Sequence, residues 1–315
     1  MPSPVDPGCG LMRLFSRPLA KTARTAIVHT SAAAVAAVVE LRPGVGQPRL
    51  LHLAIESRSR GALHWTAAQN LLKAMPHRET PVSALMPPGN YHLFQVDAPD
   101  VPAADMREAM RWKIRDLIDQ PPESMAIDIF AMPPRPQLST ARQMFVVAAE
   151  QWRVDEQSVM VSAAARQLDV VDIPELALRN LMALVPGEAA GCALLVIARG
   201  FVQILISRGG NLYVVRKIDG AVAQDPERIG LDVQRSLQYY ESHFDSTPIT
   251  RLLVAPANDQ AVRLAPQLAA VTGLQVEALE IERLLDYEGV FPLIDQPESL
   301  LALGAALRPP TALVQ

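Results

Sequence analysis

Cysteine is nearly missing from this chain: Cys9 and Cys192 are the two in 315 residues, far apart and without metal-ligand spacing. No disulfide framework follows, which fits a reducing cytoplasm. Cys192 leads the apolar run Cys-Ala-Leu-Leu-Val-Ile-Ala and reads as a small buried residue. Positive charge is not in excess, the net value being −4, so no nucleic-acid partner is expected. Long apolar runs are lacking too. The longest, Ala32 to Val39 and Cys192 to Ala198, fall far below the ~20 residues of a membrane-spanning helix. The opening residues hold no continuous apolar stretch, so no signal peptide is expected, and work at a membrane would need a tether from another molecule. Histidines 29, 52, 64, 77, 92 and 243 show no metal spacing; His52 and His64 read as partly buried. Neither a Gly-x-Ser-x-Gly elbow nor a Walker A loop occurs. Glu123 and Asp128 are neighbours in sequence, but nothing else supports paired-carboxylate chemistry. Pro121-Pro122 and Pro133-Pro134 read as stops for the elements before them.

What is present is an ordinary globular balance, 50% hydrophobic and 20% charged, long enough for two lobes with separate cores. Pro2, Pro4, Pro7, Gly8 and Gly10 prevent regular structure at the start. Arg13, Arg17, Lys21 and Arg24 then recur beside Leu11, Leu14 and Phe15. That spacing suits either a basic tail or a short amphipathic anchor interrupted by Pro18. Met12 is an alternative start to Met1. Strands are expected at Ala26 to His29, Ala34 to Leu41 and Leu50 to Glu56, with a helix at Thr66 to Ala74 ended by Pro76. From about 80 to 165 the pattern suggests an inserted unit. It holds a strand at Tyr91 to Val96, a helix from Pro102 to Ile118, strands at Ala126 to Ala131 and Gln143 to Ala149, and a closing helix near Asp155 to Ala165. The 102–118 helix should bury Met106, Met110, Ile114 and Leu117. A second lobe opens with Val170 to Ile173 and a helix from Pro174 to Leu184. A meander follows (Cys192 to Ala198, Phe201 to Ser207, Leu212 to Ile218) with Arg208-Gly209-Gly210-Asn211 as a turn. A β-α-β unit at Arg251 to Leu279 and a helix at Glu298 to Leu307 complete the chain. The pattern alone gives a mixed α/β protein of two lobes.

The most telling segment is Ile229 to Phe244. Ile229, Val233, Leu237, Tyr240 and Phe244 lay one apolar stripe down a helix of about four turns. Asp232, Arg235 and Glu241 face away from it. The order Gln234-Arg235-Ser236-Leu237-x-Tyr239-Tyr240-Glu241-Ser242 resembles the second-lobe helix of PilM-type proteins, the actin-like cytoplasmic components of type IV pilus machines. Three further segments resemble the same family in the same order. They are Ala109-Met-Arg-Trp112, the strand-to-helix entry Val170-Val-Asp172-Ile173-x-x-Leu176-Ala177-Leu178, and Leu303-Gly304-Ala-Ala306-Leu307-Arg308. The resemblance spans residues 25 to 308, and within the family it is nearest to MshI of the mannose-sensitive haemagglutinin (MSHA) pilus systems.

The resemblance implies a two-lobed actin-like (ribonuclease H-like) ATPase fold with a first-lobe insertion. The expected division is a basic tail (1–24), lobe I (25–168, insertion about 80–165), lobe II (169–297), a C-terminal helix returning to lobe I (298–308) and a tail (309–315). Actin-like enzymes hold Mg-ATP between lobes with two strand hairpins, each carrying Asp then Gly. Carboxylates hold the metal or its waters, and glycine lets backbone N–H groups reach phosphate. Here the first hairpin carries Thr30 and Ser31, with no aspartate between Asp6 and Asp97 and no glycine between Gly10 and Gly44. The second carries Val196, Ala198 and Arg199, with no acidic residue between Glu188 and Asp219. The adenine turn reads Ala255-Pro256-Ala257-Asn258, without a glycine pair. Thr30, Ser31, Val196, Ala198 and Arg199 thus mark a degenerate nucleotide site, a pseudo-ATPase. No metal or cofactor is expected, Mg-ATP being the one such a fold would hold. The resemblance further implies a scaffold at the inner face of the bacterial inner membrane. Its partner would be a PilN-like inner-membrane protein, docked through an N-terminal cytoplasmic peptide, with the assembly ATPase as a further partner. Candidate docking residues are Met106, Met110, Trp112 and Ile114; the methionines read first as core and Trp112, off the stripe, as interface. The alternatives are a working ATPase of the same machine and a type II secretion cytoplasmic domain. The latter ranks lower because such proteins usually continue into a spanning helix.

Overall fold

The computed structural model describes residues 23–31, 33–42, 44, 46–57, 65–135, 142–198, 201–219, 225–244, 247–289, 291 and 296–309. It opens with β1 (Ala23–His29), β2 (Ala33–Glu40), β3 (Arg49–Ser57), α1 (Thr66–Ala74) and β4 (Val82–Leu85). An excursion follows through β5 (His92–Asp97), α2 (Met106–Lys113), β6 (Met125–Ala131) and β7 (Gln143–Glu150). Next come α3 (Gln151–Ser162), β8 (Leu168–Asp172) and α4 (Pro174–Met182). The second half holds β9 (Cys192–Ala198), β10 (Phe201–Arg208), β11 (Asn211–Asp219), α5 (Pro226–His243), β12 (Arg251–Ala255), α6 (Asp259–Thr272) and β13 (Gln275–Ala278). The strand β14 (Asp286–Tyr287) and the helix α7 (Pro297–Ala306) run back to the first half.

Two of the sheets share one plan. The first has the order β14-β3-β2-β1-β4-β8 and the second β11-β10-β9-β12-β13. Each sets an antiparallel meander beside two strands parallel to its first strand. A third sheet, β5-β7-β6, stands apart with α2 packed on it. The first sheet is covered on both faces, so β1 is buried at every position. Ile27, Ala34, Ala36 and Val38 meet α1 and α3. Ala26, Val28, Val35, Ala37 and Val39 face the side on which α7 packs. The alanines of β2 are poor strand formers, yet here their small size lets helices approach from both sides.

The expected second-lobe elements are present. The Arg208–Asn211 turn puts Gly209 and Gly210 at φ of 56° and 72°, a conformation that favours glycine. Glu188 steadies it by accepting from Gly210 N at 2.9 Å and Ser207 Oγ at 2.7 Å. The stripe of α5 is confirmed: Ile229, Val233 and Tyr240 are fully buried. Asp225 caps that helix, accepting from Glu227 N and Arg228 N.

Other expectations need correction. β4 and α3, placed by sequence in the 80–165 insertion, belong to the first sheet and its core, so the separate unit is narrower, from β5 to β7. The strand at Val170 does not open the second lobe; β8 pairs with β4 at the edge of the first sheet. β1 starts at Ala23, inside the expected tail, while the rest of that tail, residues 1–22, and residues 310–315 lie outside the described residues. The Pro102–Ile118 helix is shorter than expected. Asp105 N bonds Pro102 O in a turn, and the helix begins only at Met106. It tightens into a 3-10 turn at Arg115–Leu117, which rotates Leu117 off the stripe and leaves it 56% exposed.

The two halves meet where α4 crosses α7. A Cβ built on Gly304 would lie 2.1 Å from the Ala177 carbonyl oxygen, and Asn180 Nδ2 donates to Gly304 O at 2.9 Å. Backbone stands against backbone, so no rotamer change relieves an added methyl. Gly304→Ala is therefore expected to destabilise by about 3 kcal/mol or more, read as a drop in urea midpoint; an unchanged midpoint would refute the crossing. Cys192 gives a second test. Burial first, then the charge of Glu188, push its thiol up from 9.0 to about 11. An acid raised on folding weakens the fold as pH climbs, since only the unfolded chain releases the proton. Between about pH 9 and 11 this should remove about 3 kcal/mol. Urea unfolding of the native chain and of Cys192→Ala across that window should show the extra decline in the native chain alone.

Candidate functional site

The first hairpin closes on itself. Thr30 N donates to Ala33 O at 2.8 Å, and the Thr30 hydroxyl accepts from Ala33 N at 3.3 Å. Ser31 is exposed at the tip. On the second side, Val196 is 3% exposed and belongs to the main hydrophobic cluster. Ala198, at the end of β9, is half-buried, and Arg199 lies outside the described residues. After β12 the Ala255–Pro256 peptide is cis. Asn258 then caps α6, its Oδ1 accepting from Gln260 N at 3.0 Å and Ala261 N at 3.1 Å. These positions therefore offer an engaged hydroxyl, apolar side chains and an engaged amide. That set does not fit a magnesium-bound triphosphate, which needs carboxylates and open backbone N–H groups. Among the described residues no cluster of His, Cys, Asp and Glu could hold a metal ion. No helix among them is long and apolar enough to cross a membrane.

The four docking candidates separate. Met110 and Ile114 are 0% exposed and form the core between α2 and the third sheet, with Met106 half-buried against it. Helical spacing put Met110 and Ile114 on the inward face, so neither lines a surface. Trp112 is 48% exposed on the opposite side of α2. Arg111 pins that helix by donating to Pro122 O and Met125 O at 2.7 and 2.6 Å.

A concave site does occur, elsewhere on the same sheet. A groove of about 510 Å³ runs between β5 and the second lobe. Tyr91 through Gln95 line one side, Val215 and Lys217 of β11 the other, and Glu175 the floor. Glu175, in the first turn of α4, is fully buried. It accepts from Tyr91 Oη at 2.6 Å and Gln203 Nε2 at 2.8 Å. Lys217 Nζ stands 3.8 Å from the same carboxylate and 5.1 Å from the centre of the Tyr91 ring. Burial above all, then the negative charge of Glu175, hold the Tyr91 hydroxyl well above the usual tyrosine range, so it stays a donor. Sequence reasoning missed this cluster. The signal available was Gln203, a lone amide inside the apolar strand Phe201 to Ile206. A smaller recess of about 160 Å³ beside α3 is closed by Arg153, which Glu150 and Asn90 hold at 2.7 and 3.0 Å.

The chain matches no protein-family model and no curated protein. Among solved structures it is similar to a chain of a PilM-PilN type IV pilus biogenesis complex, with 19% identity and a TM-score of 0.69 over 90% of this chain and 97% of that one. A Bacteroides thetaiotaomicron protein with an actin-like ATPase fold gives 8% identity and a TM-score of 0.52, over 89% and 96%. The cytoplasmic domain of EpsL, an inner-membrane component of the Vibrio cholerae type II secretion system, gives 11% and 0.50, over 90% and 94%. The fold is therefore actin-like: two lobes of one plan with an insertion in the first. Its particular form, across nearly the whole chain, is the PilM-like one.

Proposed function

We propose that this chain is a non-catalytic scaffold of a type IV pilus assembly machine, of the MSHA kind that its sequence most resembles. It works in the cytoplasm at the inner membrane and docks the N-terminal cytoplasmic peptide of a PilN-like membrane partner. The observation that carries the docking reading is the groove of about 510 Å³ beside β5, set apart from the phosphate hairpins. Its volume lies within the ~300–1,000 Å³ of ordinary binding clefts, and its lining, which sets Leu93, Phe94 and Val215 beside His92, Gln95 and Lys217, suits a short peptide. The absence of catalysis is supported by the self-closed Thr30 turn, the core position of Val196 and the cap made by Asn258. Arg199, the one charged group assigned to that site, keeps its role as a proposal. A secretion-system reading shares the fold, but the likeness to EpsL is weaker than that to the pilus chain.

Calorimetry of the purified chain with Mg-ATP, paired with a phosphate-release assay, should give neither heat nor phosphate. The same protein, without nucleotide, should retain the cytoplasmic peptide of the inner-membrane pilus partner. Micromolar nucleotide binding with phosphate release would instead establish the ATPase alternative, and failure to retain any such peptide would remove the scaffold.

A further inference from the structure

The groove has an asymmetry that bears on its occupant. If one face of a sheet looked into it, alternate residues would line it, because side chains point in turn to opposite faces. Five consecutive residues, Tyr91 to Gln95, line it, with Phe145 of β7, the cross-strand neighbour of Gln95, behind them, so the edge of β5 looks in together with one face of its sheet. β5 ends its sheet and pairs with β7 from His92↔Ala148 to Asp97↔Gln143 without a bulge. Among the described residues no strand pairs with its other side. The strand His92-Leu-Phe-Gln-Val-Asp97 carries no proline and no lysine, the devices that commonly block edge pairing. The far wall differs: Val215 and Lys217, two apart, present one face of β11. Between the walls lies the Glu175 carboxylate, whose two close donors are neutral. Among the described residues its one cation, Lys217, is its loosest partner, at 3.8 Å with a side chain 49% exposed.

We infer that the groove takes an extended peptide segment that adds as a fourth strand along β5 and directs a basic side chain onto Glu175. The Glu175 carboxylate already holds two neutral donors and the loose Lys217; its oxygens can accept a further bond, and a basic group taking the place of Lys217 at closer range would make the stronger, charge-assisted contact. A second copy of this chain would have to bring a whole sheet edge into a groove closed by β11 and α4, whereas a single strand fits. This inference rests on the docking reading and names the chemistry of its partner.

The probe is a capped six-residue peptide of alternating valine and lysine. Two control peptides accompany it, one with glutamate for lysine and one with N-methyl groups on alternate amides. The lysine peptide should bind. Glu175→Gln should weaken it about tenfold or more, while Lys217→Met, which removes a competing cation, should tighten it several-fold. Both control peptides should fail. Opposite signs for the two substitutions cannot come from a merely structural role, and Lys217, half-exposed, is free of the folding risk at Glu175. No binding, binding indifferent to both substitutions, equal binding of the glutamate peptide, or concentration-dependent dimerisation in place of peptide binding would each overturn the inference. Retention of the natural membrane partner's peptide, unchanged by either substitution, would leave docking intact and remove the β5 edge from it.

Discussion

The arrangement depends on a contact between two backbones. α7 lies on the first sheet, and α4 joins it to the second through β10 and β11. The two helices come so close that residue 304 has room only for hydrogen against the Ala177 carbonyl. Such an approach requires small residues throughout, and the chain supplies Ala302, Ala305 and Ala306 on α7 and Ala37 on β2, all 0% exposed. Asn180 adds a direction to the contact by donating to Gly304 O. The Arg308–Asp172 pair, with Asp172 nearly sealed from solvent, ties the residue after α7 to the end of β8 at 2.6 Å. A buried carboxylate of this kind is costly to leave unpaired, so the pair holds α7 on the first sheet. The lobes are thus set relative to each other by the shape of the crossing and by the Asn180 contact.

Around that crossing the two sheets repeat one plan, and two of the turns at their ends satisfy themselves. An open turn that serves a ligand keeps its N–H groups unspent. Here Thr30 folds its hydroxyl onto its own turn, and Asn258 spends its amide oxygen on the first N–H groups of α6, a cap of the kind that stabilises by about 1 kcal/mol. The fold tolerates this because its core is built by the strands and not by the turns. Val196 illustrates the point, set across from Gln203 and Ala255 in the sheet and belonging to the largest cluster.

How much of this was legible in the sequence depended on the length and regularity of each signal. α5, with five apolar residues on one stripe, and the β9–β11 meander, with its Gly-Gly turn, were readable because their periods run long enough to count. β4 was not: four residues, Val82–Leu85, buried on every side, show no alternation. α2 was misjudged at both ends, since periodicity continued through residues that a proline-led turn and a 3-10 turn actually hold. The groove was not readable either, because Tyr91, Glu175, Gln203 and Lys217 come from four separate elements and meet only after folding. Glu175 in particular looks in sequence like an ordinary acid in the first turn of a helix, where the macrodipole would favour it on the surface.

The third sheet attaches to the rest through two unlike contacts, and this shapes what the groove can transmit. Toward the first lobe it is held by an apolar neck, Met86, Tyr91, Ala149 and Ile173, which is continuous with the chain entering and leaving it. Toward the second lobe Phe145 and Met132 join the main cluster, with Leu93 and Phe130 against it, and the polar contacts beside them are long. Arg135 reaches Tyr239 Oη at 3.4 Å, and Tyr239 Oη reaches Gln95 at 3.5 Å. The guanidinium of Arg135 also lies 5.5 Å from the centre of the Phe244 ring. Hydrogen bonds of that length are weak, so apolar packing holds the subdomain on both sides. Anything lying between β5 and β11 touches the side toward the second lobe and, through Glu175, the helix that crosses α7. The groove therefore sits where a bound segment would bear at once on the inserted sheet and on the joint between the lobes.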